Sequence, residues 1–202
     1  MDKGKIIYLN GVSASGKSTL SRTLQQRLNE PFYWLPLDIF YSQMAPAKIY
    51  NIKGFSQADF EIFSLLLYTV KSYSDNGINT IVDVVHTRND KTQGNEIFVE
   101  AIKLLHDYPV LFVNVTCPAD ELHRRKTVRG DAEVDKWLPH QLEHFVPKEP
   151  YDITVDTYSN TSEECADEII ELLDNPEKLT AFKTLWSQHT EKYQCEPAFM
   201  PK

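Results

Sequence analysis

Gly11-Val-Ser-Ala-Ser-Gly16-Lys17-Ser18 satisfies the pattern G-x-x-x-x-G-K-[ST]. It stands directly after the apolar run Ile6-Ile7-Tyr8-Leu9 and directly before the helical stretch Ser18–Leu28. Strand, loop and helix in that order are the setting in which such a loop cradles phosphate. Its glycines let the backbone curl through positive φ, so that several N–H groups point inward at an oxyanion. A helix starting at Lys17 adds the partial positive charge of its N-terminus. Lys17 can bridge the β- and γ-phosphates, and the Ser18 hydroxyl can ligate Mg²⁺. The expected nucleotide site is therefore Gly11, Ser13, Ala14, Ser15, Gly16, Lys17, Ser18 and Thr19, binding ATP with Mg²⁺. A chance match in a chain of this size arises on the order of one time in a hundred, and the flanking strand and helix lower that further.

On either side of the loop, apolar runs of strand length alternate with longer segments of helical period, which predicts an α/β fold with a parallel sheet. The expected strands are Lys5–Asn10, Tyr33–Leu37, Thr80–Val85, Val110–Thr116 and Ile153–Val155, each rich in β-branched or aromatic residues. Helical stretches start near Lys17, Ser56, Asp90, Pro118 and Ser162, the last with Thr161 and Glu164 at capping-box spacing. Tyr41 to Phe55, with Pro46 and Gly54, is expected to be a loop or a broken helix. Arg129 to Pro150 is polar and carries Gly130, Pro139, Pro147 and Pro150, so it reads as a mobile excursion, either a lid or an ordinary surface loop. After Asn175-Pro176, the residues Leu179, Phe182, Leu185, Trp186 and Tyr193 form an apolar stripe, read as a helix docked on the domain or a dimer contact. The expected division is a kinase domain over 1–175, with its lid at about 129–150, and a packed helical extension over 176–202.

Two carboxylates stand where an α/β sheet places its ligands, at strand C-termini. Asp38 ends Trp34-Leu-Pro-Leu-Asp38 and either takes the proton of an attacking hydroxyl or caps a helix beginning at Ile39. Asp83 lies inside the apolar run Ile81-Val-Asp-Val-Val85, where a carboxylate needs a cation: Mg²⁺ shared with Ser18, or an ordinary buried ion pair. His86, Thr87 and Arg88 follow at the mouth of that strand and either line an acceptor pocket or are ordinary structural residues. Arg124, Arg125, Lys126 and Arg129 concentrate positive charge just before the proposed lid. Such a cluster can close over phosphates, or it forms a solvated helix face paired with Glu121 and Asp131.

The bulk properties narrow the classes. The 202 residues are consistent with one domain. A net charge of −8 argues against nucleic acid as a partner, since any anion site has to be built locally. Cys117, Cys165 and Cys195 are far apart and form no CxxC pair, which argues against a disulfide framework or a zinc site and fits a reducing cytoplasm. No segment reaches the roughly 20 apolar residues of a membrane span. A soluble cytoplasmic monomer or homodimer is expected, acting on a small hydroxylated molecule, with neither nucleic acid nor membrane as a partner.

These residues together resemble the chloramphenicol phosphotransferase-like P-loop kinases. The matching pieces are Leu9-Asn-Gly-x-Ser-x-x-Gly-Lys-Ser18, Asp38, Ile81-Val-Asp83-x-Val85, Val115-x-Cys117, Arg125-x-Thr-x-Arg-Gly-Asp131, Gln141, Tyr151-Asp-x-x-Val-Asp-Thr157 and Glu164-Cys-Ala166. The resemblance implies a P-loop kinase fold: three α/β/α layers, a five-stranded parallel sheet and a lid. It also implies ATP with Mg²⁺, Asp38 as the base that activates an acceptor hydroxyl, and Arg125 and Arg129 on the nucleotide side of the lid. With these assignments the catalytic set is Asp38, Lys17 and Arg129; Ser18 and Asp83 remain the metal set, and strand-end logic supports Asp156 and Thr157 near the adenine. The pattern is not followed at Val84, at Ala132, over Tyr41–Phe55, at His140 and His144, or beyond Asn175. The expected activity is ATP-dependent O-phosphorylation of a small molecule. The alternatives are a nucleoside or nucleotide kinase, and a nucleotide-dependent regulatory module that uses the stripe around Trp186 as its partner surface.

Overall fold

Ile6–Asn10 is buried along its whole length, as only a strand covered on both faces can be. This strand, β1, is the centre of the computed structural model, which describes residues 2–87, 94–130, 132–145 and 149–193, without the side chains of 94, 95, 129, 132–137 and 191–193. β1 pairs in parallel with β3 (Asn79–Val84) and with β4 (Val110–Thr116). The edge strands are β2 (Phe32–Pro36) and β5 (Ile153–Asp156), giving a five-stranded sheet ordered β2-β3-β1-β4-β5. All pairings are parallel.

The period of two along each strand sends alternate side chains into two separate cores. Ile6 and Tyr8 of β1, with Val110 and Phe112 of β4, enter one cluster. α4 (Phe55–Asp75), α5 (Gly94–Leu105) and α9 (Ala181–Tyr193) cover it. Ile7 and Leu9, with Leu111 and Val113, enter the other, covered by α1 (Lys17–Arg27) and α8 (Ser162–Leu173). The result is the expected three-layer α/β/α arrangement. Thr161 starts α8 with the expected capping box: its hydroxyl accepts from Glu164 N–H at 3.2 Å, and Thr161 N–H donates to the Glu164 carboxylate at 2.8 Å. Phe182 of α9 lies in the first core, edge-on to Phe112 at 5.0 Å between ring centres. Among the described residues, no helix is long and apolar enough to cross a membrane.

Local boundaries differ from the expectation where proline and tertiary docking intervene. β2 stops at Pro36, because a proline has no N–H to continue the ladder. The chain then enters a single turn, α2 (Leu37–Ile39), continuing as a wide π-type turn over Phe40–Met44. Asp38 is thus in a helical turn and does not end the strand. The stretch to Phe55 is a broken helix: α3 (Ile49–Lys53) is separated from α4 by Gly54 at φ 75°. The excursion after α6 (Ala119–Arg129) is largely ordered as α7 (Ala132–His144), with Pro139 inside it. A mid-helix proline forfeits one backbone hydrogen bond, and docking of Leu138 against Val12 and Leu122 offsets that loss. Arg88, the expected helix start at Asp90, Asp131, Pro147 and Cys195 lie outside the described residues.

His86 belongs to the core, with no part in lining a pocket. It is 1% exposed, it packs against Phe63 and Phe98, and its Nε2 lies 2.8 Å from the Tyr8 hydroxyl. Burial pushes its pKa down to about 3. The unfolded chain therefore takes up a proton near the ordinary histidine value while the folded chain does not, so His86 destabilises the fold progressively as pH falls from about 6.5 towards 3. We expect roughly 2 kcal/mol of this effect between pH 7.5 and pH 5. Urea unfolding of H86F across that range should show a correspondingly flatter pH dependence than the native chain; identical slopes would contradict the assignment.

Candidate active site

The site begins where β1 ends. The Asn10 amide is buried, donating to the Tyr151 hydroxyl at 2.9 Å and accepting from His86 N–H at 2.8 Å, which ties the exits of β1 and β3 to the segment before β5. Gly11 N–H donates to the Val84 carbonyl at 3.3 Å. A Cβ on Gly11 would lie 2.5 Å from the Val115 carbonyl oxygen, so only glycine passes there. The loop then turns through φ 65° at Ala14 and φ 96° at Gly16 before α1 begins at Lys17.

Thr157, just past β5, holds the back of this loop. Its hydroxyl donates to the Ser15 carbonyl at 2.7 Å, and its side chain stands 3.3 Å from the Cβ position of Gly16. Arg125 of α6 braces Thr157 with two bonds, Nη1 to the hydroxyl at 3.0 Å and Nη2 to the carbonyl at 2.8 Å. Its Nε donates to Glu121 at 2.8 Å. Arg124 and Arg125 hold the Glu121 carboxyl down, at about 2. Arg124 therefore fits the alternative of a solvated face paired with Glu121, while Arg125 sits against the loop. Arg129 is the last residue of α6, and its side chain lies outside the described residues. Asp156 accepts from Tyr158 N–H and from the Ser159 hydroxyl, shaping the turn after β5.

A cleft of about 130 Å³ opens between the loop and the strand ends. It is lined by Ser13, Ala14, Gly16, Lys17 and Ser18 of the loop and α1, by Leu37 and Asp38 of α2, and by Asp83, Val84 and Val85 at the end of β3. Gly11 and the buried Ser15 lie beneath the loop, and Thr19 is exposed on α1 and does not line the cleft. Lys17 is 8% exposed, its ammonium donating to the carbonyls of Gly11 at 2.6 Å and Val12 at 3.1 Å. The Asp83 carboxylate is 5% exposed and accepts from Ser18 Oγ at 3.3 Å and from Trp34 Nε1 at 3.1 Å. Burial raises its pKa, and the nearby Lys17 charge pulls the other way. The cation expected beside this carboxylate is thus, in part, Lys17. The helical turn begins at Leu37 with Pro36 in the cap position, so Asp38 lies inside the first turn and does not cap a helix starting at Ile39.

Two contacts of the site carry no mark in local sequence pattern. Trp34 reaches Asp83 across the sheet, its ring covered by the Arg22 guanidinium at 5.0 Å. Ser13 N–H donates to Gln141 Oε1 at 2.8 Å, linking the loop to α7. Deleting the tether hydroxyl while keeping side-chain shape, as in T157V, removes the bond to the Ser15 carbonyl and one of the two bonds from Arg125, which keeps the Thr157 carbonyl and Glu121. We expect about 1–2 kcal/mol of lost stability in denaturant unfolding; an unchanged midpoint would show that the tether is dispensable.

A family model described as chloramphenicol phosphotransferase-like protein matches residues 4–174. An adenylyl-sulfate kinase of Clostridium acetobutylicum is 28% identical over 186 residues, covering 85% of this chain and 84% of the relative. A Mycobacterium tuberculosis protein provisionally named an O-phosphotransferase is 27% identical over 194 residues, covering 85% and 83%. Among solved structures, the Mycobacterium tuberculosis APS kinase CysC in complex with AMPPNP and APS matches with a TM-score of 0.63 at 19% identity, over 86% of this chain and 99% of that one. At that identity the likeness speaks to the fold, which is that of the P-loop kinases. The family match runs from before β1 through α8 and takes in the loop, the cleft and the Thr157 tether, and the chain accordingly belongs to the chloramphenicol phosphotransferase-like family, a kinase-like phosphotransferase by descent and by fold.

Proposed function

We propose that the protein transfers the γ-phosphoryl group of ATP to a hydroxyl of a small molecule. The observation that carries this reading is that Lys17 and Asp38 line one cleft, together with Ser18 and Asp83, which are hydrogen-bonded to each other. Lys17 and the loop amides hold the phosphates, and Arg129 is assigned to the transferring group from the lid side. Asp38 receives the acceptor. Its carboxylate takes the hydroxyl proton as the acceptor oxygen bonds to the γ-phosphorus, the bond from that phosphorus to the bridging oxygen breaks, and ADP departs.

The Ser18 hydroxyl and the Asp83 carboxylate are hard oxygen donors at the phosphate end of the cleft, a set that suits Mg²⁺. When bound, Mg²⁺ supplies neutralisation of phosphate charge. Among the described residues no group of three or more His, Cys, Asp or Glu side chains forms a metal cluster, in keeping with an ion held by few protein oxygens and by phosphate. Burial raises the Asp83 pKa, and a cation bound beside the carboxylate would favour its charged form against that burial.

The acceptor side favours a molecule without a phosphate or sulfate group. Residues 41–71 contain lysines and no arginine. Lys53 is engaged by Glu61, and Lys71 by Asp75 at 2.7 Å. Asp59 adds a half-buried carboxyl, hydrogen-bonded to Tyr41. Anionic acceptors call for bidentate guanidinium partners, which weakens the nucleotide-kinase alternative. The regulatory alternative loses its motivation, because Leu179, Phe182 and Leu185 of the supposed partner stripe are buried in the cores. Residues 1–175 are proposed as the kinase domain and 176–202 as an extension packed on it, working in the cytoplasm as a monomer or homodimer.

ADP formation by the full chain with MgATP should depend on an added hydroxylated acceptor, tested as a panel of alcohols, sugars, antibiotics and nucleosides. D38N should lower kcat by about 10²-fold or more while leaving binding of the ATP analogue AMPPNP within twofold. An unchanged rate would remove Asp38 from the mechanism, and efficient turnover of a nucleoside would favour the nucleoside-kinase reading.

A further inference from the structure

Leu138, Gln141 and Phe145 follow one another at intervals of three and four, so they share the side of α7 and its exit that meets the phosphate loop. Leu138 is buried against Val12 and Leu122, and Phe145 borders the same cluster. Phe145 also pairs through its backbone with Thr87, just beyond the β3 exit that lines the cleft. Between these two apolar anchors the Gln141 carboxamide oxygen accepts the Ser13 N–H at 2.8 Å. The loop is therefore held in two halves: Ser15 and Gly16 from behind by Thr157, Val12 and Ser13 from above by α7.

We propose that Gln141 is a positioning residue of the nucleotide site, fixing the Ser13 arm of the loop in phosphate-ready shape before nucleotide arrives. The inference rests on the reading of this loop as an ATP site. Backbone bonds hold the loop at Gly11, to the Val84 carbonyl, and at Val12, from the Ser15 N–H, whereas the Ser13 N–H, one residue before positive φ begins, goes to Gln141. The carboxamide satisfies the Ser13 donor without adding charge, and this matters because Ser13 lines the cleft that is to receive a polyanion. A carboxylate of the same length could accept the same hydrogen bond while repelling the phosphates. Packing of α7 and positioning of the loop are thereby separable: Leu138 serves the first and Gln141 the second.

The test is calorimetric titration of MgAMPPNP into the full-length native chain and its K17A, Q141A and Q141E forms at low and high salt, with melting temperatures recorded without nucleotide. Q141A should bind about fivefold more weakly at an essentially native melting temperature, the loss of one net hydrogen bond. Q141E should also keep its melting temperature but bind at least about tenfold more weakly at low salt, part of that loss being recovered at high salt. A purely structural role for Gln141 would not produce that salt dependence. Native-like affinity in both variants, or losses that simply track a lowered melting temperature, would overturn the proposal while leaving the ATP site intact, provided that K17A abolishes binding. Absence of MgAMPPNP binding by the native chain would overturn the nucleotide reading and this inference with it.

Discussion

A phosphate-cradling loop has to keep its backbone in left-handed conformations with nothing inside it. Ala14, at φ 65°, is a non-glycine residue in that region, which disfavours the conformation by roughly 1–2 kcal/mol. The surrounding structure has to over-determine it. Thr157 and Arg125 do so at Ser15 and Gly16, and Gln141 of α7 does so at Ser13. Much of the molecule away from the cleft serves this end: β5 places Thr157, α6 places Arg125, and the buried Asn10 amide keeps the exits of β1 and β3 in register where the loop departs.

The electrostatics of the cleft follow from the same arrangement. The chain carries a net charge of −8, yet the loop presents a lysine, backbone amides and a helix N-terminus at one point. Asp83 stands against that positive point in a buried setting, with Trp34 and Ser18 as donors. Asp38 lies across the cleft on a turn formed because Pro36 ends its strand. On the proposed reading, the buried carboxylate is suited to a cation and the one on the turn to the acceptor, a division of labour that follows their different settings.

Much of this was legible in the sequence because it is encoded locally. The loop, the strand before it and the helix after it lie within residues 6–27, and alternation of apolar runs marked all five strands to within a residue or two. The α8 cap was readable from Thr161 and Glu164 alone. What escaped reading depends on contacts distant in the chain. Trp34 meets Asp83 and Gln141 meets Ser13 only after the sheet and α7 have assembled, and neither residue type signals such a partner. α7 itself was obscured by Pro139, since the apolar docking that sustains the helix is tertiary. For His86 the strand end left a pocket role and a structural role both open, and the side chains that decide for the core come from three other elements.

The central claim is phosphoryl transfer from ATP to an organic hydroxyl, and following the label tests it most directly. The full chain would be incubated with Mg²⁺, ATP labelled in the γ-phosphoryl group and a pool of hydroxylated small molecules, and the label then traced by chromatography and phosphorus NMR. Label is expected in a phosphate monoester of one acceptor, formed in step with ADP and with little inorganic phosphate. Label found only in inorganic phosphate, or remaining wholly in ATP across a broad acceptor pool, would contradict it.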